Sequence, residues 1–403
     1  MSQINGPKQA ARIARPGHNR RMCAMTIFDD TAPGISFDED GVCNFARKSL
    51  WRLEHEVFHG EDGRQRLDAL VARIKAEGRG RDYDCLIGLS GGVDSSFVAA
   101  RVVELGLRPL AIHLDNGWNT DTAVSNIERL VKRLGIDLMT HVVDWGEIKD
   151  LQRAYIRASL LDLECVSDHA INTIMFRTAY DMRIGTVIHG GNVATESTMP
   201  AAWAYDKRDG VNLRAVHRAF GSVPLKSYPY MMPWQFFNYL FIRRIKTLPI
   251  LNYLDYNKTE AVEEMKALFD WRPYPRKHGE NRFTRFFQEY YLPRKFGIDK
   301  RVGHYSSLIV AGEMTRDDAL RKIAEPLYEG NEAREELEYV AKKLGFSADE
   351  LEALIMAPPR AHTEFRNAQW MFNQSSLPVQ IARYIAKGEF SLSKLSTIRQ
   401  AGR

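Results

Sequence analysis

Residues 85–105 constrain the fold of this chain more than any other segment. The apolar run 85–89 leads directly into Ser90-Gly91-Gly92-Val93-Asp94-Ser95-Ser96, and a helical pattern follows. In a tight turn between a buried strand and a helix, backbone N–H groups can point at an anion if glycines permit positive φ and a close approach. The serine hydroxyls add donors where the helix dipole already favours negative charge. The segment therefore predicts a phosphate-binding loop.

Asp94 is an unusual residue for such a loop, since a carboxylate repels phosphate. Two explanations stay open: a divalent cation lies between them, or the carboxylate orients the loop by accepting N–H bonds. The string also lacks the Gly-Lys-Ser/Thr ending of a Walker loop, which argues against ordinary γ-phosphate transfer.

Strands and helices alternate on both sides of this loop. Apolar strand patterns and helical patterns follow one another from residue 85 to residue 189, with further strands at 109–114, 138–143 and 186–189 and helices at 95–105, 121–134 and 169–182. This alternation predicts an α/β domain with a parallel sheet and helices on both faces, where ligands bind beyond the carboxyl ends of the strands. From residue 258 onward only helices are predicted, at 260–268, 315–328, 333–344 and 348–356. We therefore expect a disordered basic arm (1–21), a small N-terminal knuckle (22–50), the α/β domain (51–257) and a mainly helical substrate or partner region (258–403).

Composition indicates an ordinary globular enzyme. Of the 403 residues, 44% are hydrophobic and 27% are charged, and the net charge of +5 is too small to imply nucleic acid. The basic arm lacks the apolar core of a signal peptide, so a cytoplasmic location and four reduced cysteines are expected. Residues 231–254 are apolar, but Arg243, Arg244 and Lys246 interrupt them. They predict a buried or interface helix pair rather than a membrane span.

The string at 90–96 resembles the signature of the pyrophosphatase-loop (PP-loop) superfamily, which includes GMP synthetase, argininosuccinate synthetase and tRNA-modifying adenylases. The resemblance implies an adenine nucleotide alpha hydrolase-like domain that adenylates a carbonyl oxygen and holds the departing pyrophosphate. It implies ATP and Mg²⁺ as cofactors, Asp94 as a Mg²⁺ ligand, and nucleotide contacts from Ser90, Gly91, Gly92, Asp94, Ser95 and Ser96. Asp115, at the end of the second predicted strand, would line the adenosine side, although it could equally form a turn.

Further strings resemble one subfamily, the N-acetyl sugar amidotransferases of bacterial surface-polysaccharide (LPS O-antigen) biosynthesis. They are Asp168-His169-Ala170-Ile171, the run from His189 to Glu196, and the runs 277–287 and 295–301. The resemblance implies that an acetamido group on a nucleotide-linked sugar becomes an acetamidino group, with ATP and ammonia consumed.

This resemblance supplies the other candidate residues. Those for catalysis are Asp94, Asp168, His169, Glu196 and Lys277. Those for substrate binding are Lys277, His278, Glu280 and Arg282, and the strand-end turn Gly190-Gly191-Asn192 would approach the nucleotide. Structural alternatives stay open: Asp168 and His169 could cap a helix, Glu196 could be a satisfied polar residue, the basic residues could be a solvated face, and the glycines an ordinary turn.

The family pattern also includes a cysteine-rich zinc knuckle near the N-terminus. In this chain the second cysteine of each pair is replaced: Thr26 stands three residues after Cys23, and Ala46 stands three residues after Cys43. Because structural zinc wants four ligands, we expect a degenerate knuckle without zinc.

The chain shows no glutaminase signature, so ammonia must come from elsewhere. Relatives in this family depend on a separate glutaminase pair related to imidazole glycerol phosphate synthase. A similar partner would dock on the aromatic segment 234–239. Two rival functions remain: a tRNA-modifying adenylase, which generally needs closely placed cysteines that are not seen here, and a non-catalytic nucleotide-binding scaffold.

Overall fold

Five parallel strands form the central sheet of the computed structural model, which describes residues 20–274 and 279–372. They are β1 (Cys85–Gly88), β2 (Pro109–Asp115), β3 (Asp137–Val142), β4 (Thr186–His189) and β5 (Lys246–Pro249). The strand order is β3-β2-β1-β4-β5, and all four neighbouring pairs are parallel. The order reverses between β1 and β4, so the carboxyl ends of these two strands border the crevice in which such sheets bind ligands.

Helices cover both faces of this sheet. In chain order they are α1 (Asn44–Glu56), α2 (Gly60–Glu77), α3 (Val93–Glu104), α4 (Asp121–Leu134), α5 (Trp145–Arg157), α6 (Cys165–Asp181), α7 (Val193–Glu196), α8 (Gly210–Phe220), α9 (Pro233–Phe237), α10 (Lys258–Phe269), α11 (Arg282–Arg285), α12 (Leu292–Phe296), α13 (Lys300–Val310), α14 (Arg316–Ala324), α15 (Glu332–Leu344), α16 (Ala348–Met356) and α17 (Gln369–Phe372). Side chains of α2, α3, α4 and α10 form one core with the sheet, and α6 packs on the opposite face. The predicted fold class, including the mainly helical C-terminal region, is confirmed.

Local signals in the sequence explain why several predicted elements are nearly right. Leu86 and Ile87 are fully buried on opposite faces of the sheet, as expected for a continuous apolar strand between two helical layers. The helix predicted at 121–134 agrees with α4 because both of its ends are marked. The Thr120 side chain accepts from the Ala123 N–H, and Gly135 ends the helix with a φ of 64°.

Residues 51–76 belong to two helices, α1 and α2, which are separated where the Phe58 N–H donates to the Asn252 carbonyl over 2.8 Å. One prediction made for an apolar segment is wrong. The helix pair expected at 231–254 is instead α9, a π-helical turn at Asn238–Ile242 and the edge strand β5. Pairing of β5 with β4 outweighs the local helical pattern. Within the described ranges, no helix has both the length and the apolarity needed to cross a membrane.

One hydrophobic core includes residues from the knuckle, the α/β domain and the C-terminal region. Phe28, Leu151 and Phe286 are completely buried members of it. Arg316 of α14 adds a polar connection, since its Nε donates to the Thr26 carbonyl at 3.1 Å. The C-terminal helices are therefore held firmly beside the sheet.

The knuckle brings Cys23 and Cys43 together. The Cys23 sulfur accepts N–H bonds from Thr26 at 3.4 Å and from Cys43 at 3.2 Å, and the Ala46 N–H donates to the Cys43 sulfur. A hydrogen bond from the Cys43 thiol, with these N–H donors, lowers the pKa of Cys23 to about 4. Thr26 and Ala46 are fully buried where two further ligands would stand. No group of three or more metal-ligating side chains occurs in residues 20–274 and 279–372.

This geometry predicts that two substitutions restore a zinc site. In the double variant Thr26→Cys/Ala46→Cys, four thiolates would surround one centre on backbone turns that already bond sulfur. We expect one zinc per chain, measured by metal analysis after dialysis, with an increase in thermal stability that a chelator reverses. The single variant Thr26→Cys is the control and should bind zinc far more weakly. A folded double variant without zinc would contradict this interpretation of the knuckle.

Candidate active site

The loop after β1 is held in shape from two sides. Gly91 has a φ of +83°, and a Cβ on it would lie 2.8 Å from the Ala123 carbonyl oxygen of α4. The Gly91 carbonyl accepts hydrogen bonds from Trp271 Nε1 at 3.1 Å and from the Tyr274 hydroxyl at 2.9 Å. Any side chain at residue 91 would therefore both strain the backbone and displace the neighbouring helix.

The loop serines differ in their orientation. Ser90 and Ser95 face the crevice, with their hydroxyl oxygens 3.2 Å apart, and the Gly92 N–H donates to Ser90 Oγ at 3.2 Å. Ser96 is fully buried, and its hydroxyl has no hydrogen-bond partner within the described structure. Ser96 lies in the helix face that packs on the sheet, so it does not fit the nucleotide-binding role predicted for it.

A cavity of about 620 Å³ opens beside Ser90 and Ser95. Its apolar lining includes Ile112 of β2 and side chains of α6. Its polar end includes Glu164, which contacts Gln288 and Lys300, with Asp168 and His304. Glu196, Met199 and Trp203 also line the cavity, and Glu280 lies beside the loop. The cavity is large enough for a nucleotide and part of a second substrate.

The apolar wall is suited to a flat ring. Ile112 and Leu114 come from the end of β2, and Ile171, Ile174 and Met175 come from successive turns of α6. At the end of a parallel strand, backbone groups are also available to the edge of a base. The wall and the loop serines together match the two ends of an adenine nucleotide.

Asp168 lies in the polar part of the cavity beside a buried lysine. Lys207 Nζ is 3.2 Å from Asp168 Oδ2 and 2.6 Å from Asp162 Oδ2. Loss of water around the carboxylate raises the pKa of Asp168 to about 6, although the lysine acts in the opposite direction. A pKa of about 6 suits Asp168 to proton transfer near neutral pH.

His169, in contrast, faces away from the cavity. Its Nδ1–H donates to the Lys207 carbonyl at 2.9 Å, and its Nε2 accepts from the Met231 N–H at 3.1 Å. Desolvation lowers the pKa of this imidazole to about 4. With both nitrogens engaged by backbone, His169 positions the 207–231 segment and does not fit the catalytic role predicted from the sequence.

Asp94 and the turn after β4 contact each other. A Cβ on Gly190 would lie 3.1 Å from the backbone carbon of Asp94, so the two loops meet at the crevice between β1 and β4. Asp94 Oδ1 accepts a hydrogen bond from the Tyr256 hydroxyl. Asn192 Oδ1 caps α7 by accepting from the Thr195 N–H at 2.9 Å, and the Gly191 N–H donates to His189 Nδ1. Gly190 thus provides close packing, and Gly191 and Asn192 form an ordinary capped turn outside the cavity lining.

Asp115 also lies outside the main cavity. Its Oδ1 accepts from the Gly117 N–H at 2.9 Å, and its side chain lines a separate cleft with Trp145 and Lys343. The turn-forming alternative describes Asp115 better than the adenosine contact does. His113 and Leu114, just before it, line the cavity instead.

The predicted substrate-binding residues between 277 and 282 have different positions relative to the cavity. Lys277 and His278 lie outside the described residues. Glu280 lines the cavity, and one of its carboxylate oxygens is 3.2 Å from where a Cβ of Gly92 would stand. Arg282 instead pairs with buried Glu336 at 3.1 Å and lies over the Tyr339 ring, so its charge is used within the C-terminal region.

Backbone hydrogen bonds hold the C-terminal region over the loop. The Thr120 N–H donates to the Glu280 carbonyl at 3.0 Å, and the Arg282 N–H donates to the Trp118 carbonyl at 3.0 Å. Asn119 and Asn281 form the antiparallel bridge between these bonds. We call this contact the 118–282 ladder.

Several residues of the cavity were not predicted from the sequence. Glu164 forms an ion pair with Lys300 over 3.3 Å, and both side chains line the cavity, as do Gln288 and His304. Glu164 lies 124 residues before Gln288 and 136 before Lys300, so no local pattern indicated that they share a site. Lys300 stood within the family-like run 295–301, which is the one hint that the sequence contained.

The comparisons with known proteins concern mainly the C-terminal region. Residues 280–376 match the family described as LPS biosynthesis protein WbpG-like, C-terminal domain, which is less than half of the chain. No curated protein matches the sequence. Two solved structures are weakly similar. NH3-dependent NAD synthetase from Campylobacter jejuni has 16% identity, 39% coverage of this chain, 73% of its own and a TM-score of 0.27. NMN synthetase from Francisella tularensis has 15% identity, 53% coverage of this chain, 94% coverage of its own chain and a TM-score of 0.28. We base no conclusion on these two likenesses.

The orientation of the serines predicts different effects for two adjacent substitutions. Ser95→Ala removes a hydroxyl that faces the cavity, and we expect the KM for ATP to rise about tenfold, as for the loss of one hydrogen bond to a charged group. Ser96→Ala removes a buried hydroxyl without a partner, so it should leave the KM for ATP unchanged. Steady-state kinetics with ATP as the varied substrate distinguish the two. Equal effects would contradict the orientation described here.

Proposed function

We propose that this protein is an ATP-dependent N-acetyl sugar amidotransferase of the cytoplasm. It would convert an acetamido group of a nucleotide-linked sugar into an acetamidino group during LPS O-antigen biosynthesis. The observation that carries the proposal is one cavity that joins Ser90 and Ser95 of the loop to the carboxylates Asp168 and Glu196. The match of residues 280–376 to an LPS biosynthesis domain supports the biological setting.

ATP fits the loop end of the cavity. Its phosphates would accept from the loop N–H and serine hydroxyl groups at the start of α3, and its base would lie against Ile112, Ile174 and Met175. Mg²⁺ would be held largely by the phosphates. Asp94, Glu196 and Glu280 are the nearby carboxylates that could complete its shell with oxygen ligands. The ion would offset phosphate charge, which accounts for acidic residues beside an anion site.

The chemistry needs an activated amide because the amide oxygen is a poor leaving group. That oxygen attacks the α-phosphorus of ATP, pyrophosphate leaves, and the acetamido N–H proton is lost, which gives an O-adenyl imidate. Ammonia then forms the new C–N bond, the C–O bond breaks, and AMP leaves. One ammonia proton is released in this second step, and Asp168 is placed to accept it. Orientation of both substrates within one cavity would contribute to the rate.

The acceptor sugar would occupy the polar end of the cavity. Lys300 and His304 are the basic residues there, and Gln288 offers both a donor and an acceptor. Trp203 provides an apolar surface against which a sugar ring or the acetamido methyl group could pack. These side chains come from α13, from the π-helical turn Phe286–Tyr291 and from the segment after α7.

A separate glutaminase pair would supply the ammonia. The exposed Trp234, 63% accessible, supports the aromatic segment 234–239 as one docking surface for such a partner. Nucleic acid is not required by this function.

The rival functions have less support. A tRNA-modifying adenylase that transfers sulfur needs an accessible thiolate, but all four cysteines are buried. Burial raises the pKa of Cys85 and of Cys165, so both thiols stay protonated at neutral pH. A non-catalytic scaffold would not need Asp168 and Glu196 in the same cavity as the loop serines.

The decisive experiment incubates the protein with ATP, Mg²⁺, ammonium salt and a panel of acetamido nucleotide-sugars. We expect AMP and pyrophosphate together with a sugar product lighter by about one mass unit, as NH replaces oxygen in the adenylated amide. Asp94→Asn serves as the inactive control. If no sugar reacts but adenylation appears with RNA, the tRNA-modifying function replaces this one. ATP binding without turnover on either substrate would favour the scaffold.

The pKa of Asp168 predicts the acidic limb of the pH profile. Below pH 6 the carboxyl is protonated and cannot accept a proton, so kcat should fall about tenfold for each pH unit below that value. Asp168→Asn should be slow at all pH values and lack this limb. Retention of the limb in the Asn variant would assign the titration to another group.

A further inference from the structure

Lys207 carries a charge to which the proposed reaction assigns no role. It stands between the 3₁₀ turn Ala201–Trp203 and α8, and its Nζ lies 2.6 Å from Asp162 Oδ2 and 3.2 Å from Asp168 Oδ2. Asp168 lines the main cavity, whereas the side chain of Asp162 is only 1% exposed. One ammonium thus connects a fully buried carboxylate to a carboxylate that a substrate can reach.

The backbone holds Asp162 in place. Its Oδ2 accepts a hydrogen bond from the Tyr205 N–H at 2.8 Å, and its Oδ1 accepts from the Glu164 N–H at 3.2 Å. The Tyr205 hydroxyl in turn accepts from the Leu161 N–H at 3.0 Å. A carboxylate with these donors keeps its orientation, so Asp162 is a fixed anchor for the lysine ammonium.

The main chain of Lys207 is also fixed, and it is fixed to α6. His169 Nδ1–H donates to the Lys207 carbonyl at 2.9 Å, and His169 directly follows Asp168 in that helix. The lysine is therefore held at its carbonyl by α6 and at its ammonium by Asp162. A long side chain that is held at both ends loses little further freedom when it contacts Asp168.

The charges near Asp168 have opposite signs. Among residues 20–274 and 279–372, Lys207 is the cation that forms an ion pair with it, and Asp162 and Glu164 are the nearby anions. Glu164 is paired with Lys300 of α13 at 3.3 Å, and Glu196 and His304 line the same cavity. Three further groups are uncharged at neutral pH, because burial raises the pKa of Cys165 and Tyr228 and lowers the pKa of His169.

We propose that Lys207 is a positioning residue of the reaction: anchored on Asp162, its ammonium keeps the Asp168 carboxylate ionised and in one orientation. The inference rests on the proposed function, in which Asp168 accepts the proton that the attacking nitrogen releases. A cation in contact with a carboxylate favours the ionised form. Because the lysine contacts Oδ2, the proton would be received by Oδ1, which converts the carboxylate into a neutral acid.

The first test removes the charge of the lysine. Lys207→Met keeps an unbranched side chain, and without the ammonium the pKa of Asp168 should rise above about 6. Because the Asp168 side chain is 39% exposed, solvent screens part of the effect, and we expect the acidic limb of kcat to move up by about one pH unit. At pH 6, kcat should then be about fivefold lower than in the unsubstituted protein and should recover at high pH.

Two controls belong to this test. Lys207→Arg retains the positive charge and should keep the limb close to its original position. Lys226→Met makes the same exchange as Lys207→Met at an exposed position outside the cavity lining, and it should leave the limb unchanged. An acidic limb that stays in place in Lys207→Met would overturn the proposal.

Asp162→Asn tests the network from the other side. It removes a negative charge that raises the pKa of Asp168 and leaves the lysine with one carboxylate, so the limb should move to lower pH. A merely structural role would lower activity in both variants without moving the limb in opposite directions. This second variant also keeps the proposal falsifiable if Lys207→Met does not fold, since a limb that moves up in Asp162→Asn contradicts it.

A titration that needs no activity separates this inference from the proposed function. In carbon-13 spectra of protein labelled at the aspartate carboxyls, the resonance of Asp168 is the one that disappears in Asp168→Asn. Its titration midpoint should rise in Lys207→Met and fall in Asp162→Asn. Equal midpoints would overturn the role of Lys207 even in a protein that forms amidine. The expected midpoints without turnover of any acetamido sugar would uphold the effect of Lys207 on Asp168 and overturn the reaction assigned to the site.

Discussion

The conformation of Gly91 is the constraint on which the site depends. Its positive φ and its contact with Ala123 allow no side chain, and Trp271 and Tyr274 bind its carbonyl from the other side. The loop is thereby fixed by α4 and by the segment after α10 before any ligand arrives. A phosphate site that is already formed avoids the entropic cost of ordering the loop at each turnover. Ser90 and Ser95 keep their orientation for the same reason.

The second requirement is that charge near the loop is balanced. Two of the carboxylates that line the cavity pair with lysines: Asp168 contacts Lys207, which Asp162 also contacts, and Glu164 pairs with Lys300. Desolvation nevertheless raises the pKa of Asp168, with Lys207 acting in the opposite direction.

Local patterns predicted the parts of the fold that depend on neighbours in sequence. The loop, strand β1 and helix α4 follow from glycine turns, apolar runs and caps, and the structure confirms them. The strand β5 depends on pairing with β4, which lies far along the chain, so the apolar pattern of residues 231–254 led to a wrong prediction. Among site residues, His169 was taken for a catalytic group because its burial between two backbone groups cannot be seen in a motif. Lys207 had no signal at all, since its importance comes from two carboxylates, Asp162 and Asp168, that folding brings to it.

The 118–282 ladder has a consequence for how such a protein can diversify. Its bonds join main-chain atoms of Trp118, Thr120, Glu280 and Arg282, so most side-chain changes on either side leave them intact. Under the proposed function, the loop half of the cavity can then remain constant while the C-terminal half accumulates substitutions where the sugar would bind. Natural variants, or laboratory chimeras joined at this ladder, would then exchange acceptor preference as a unit and inherit the activation chemistry unaltered.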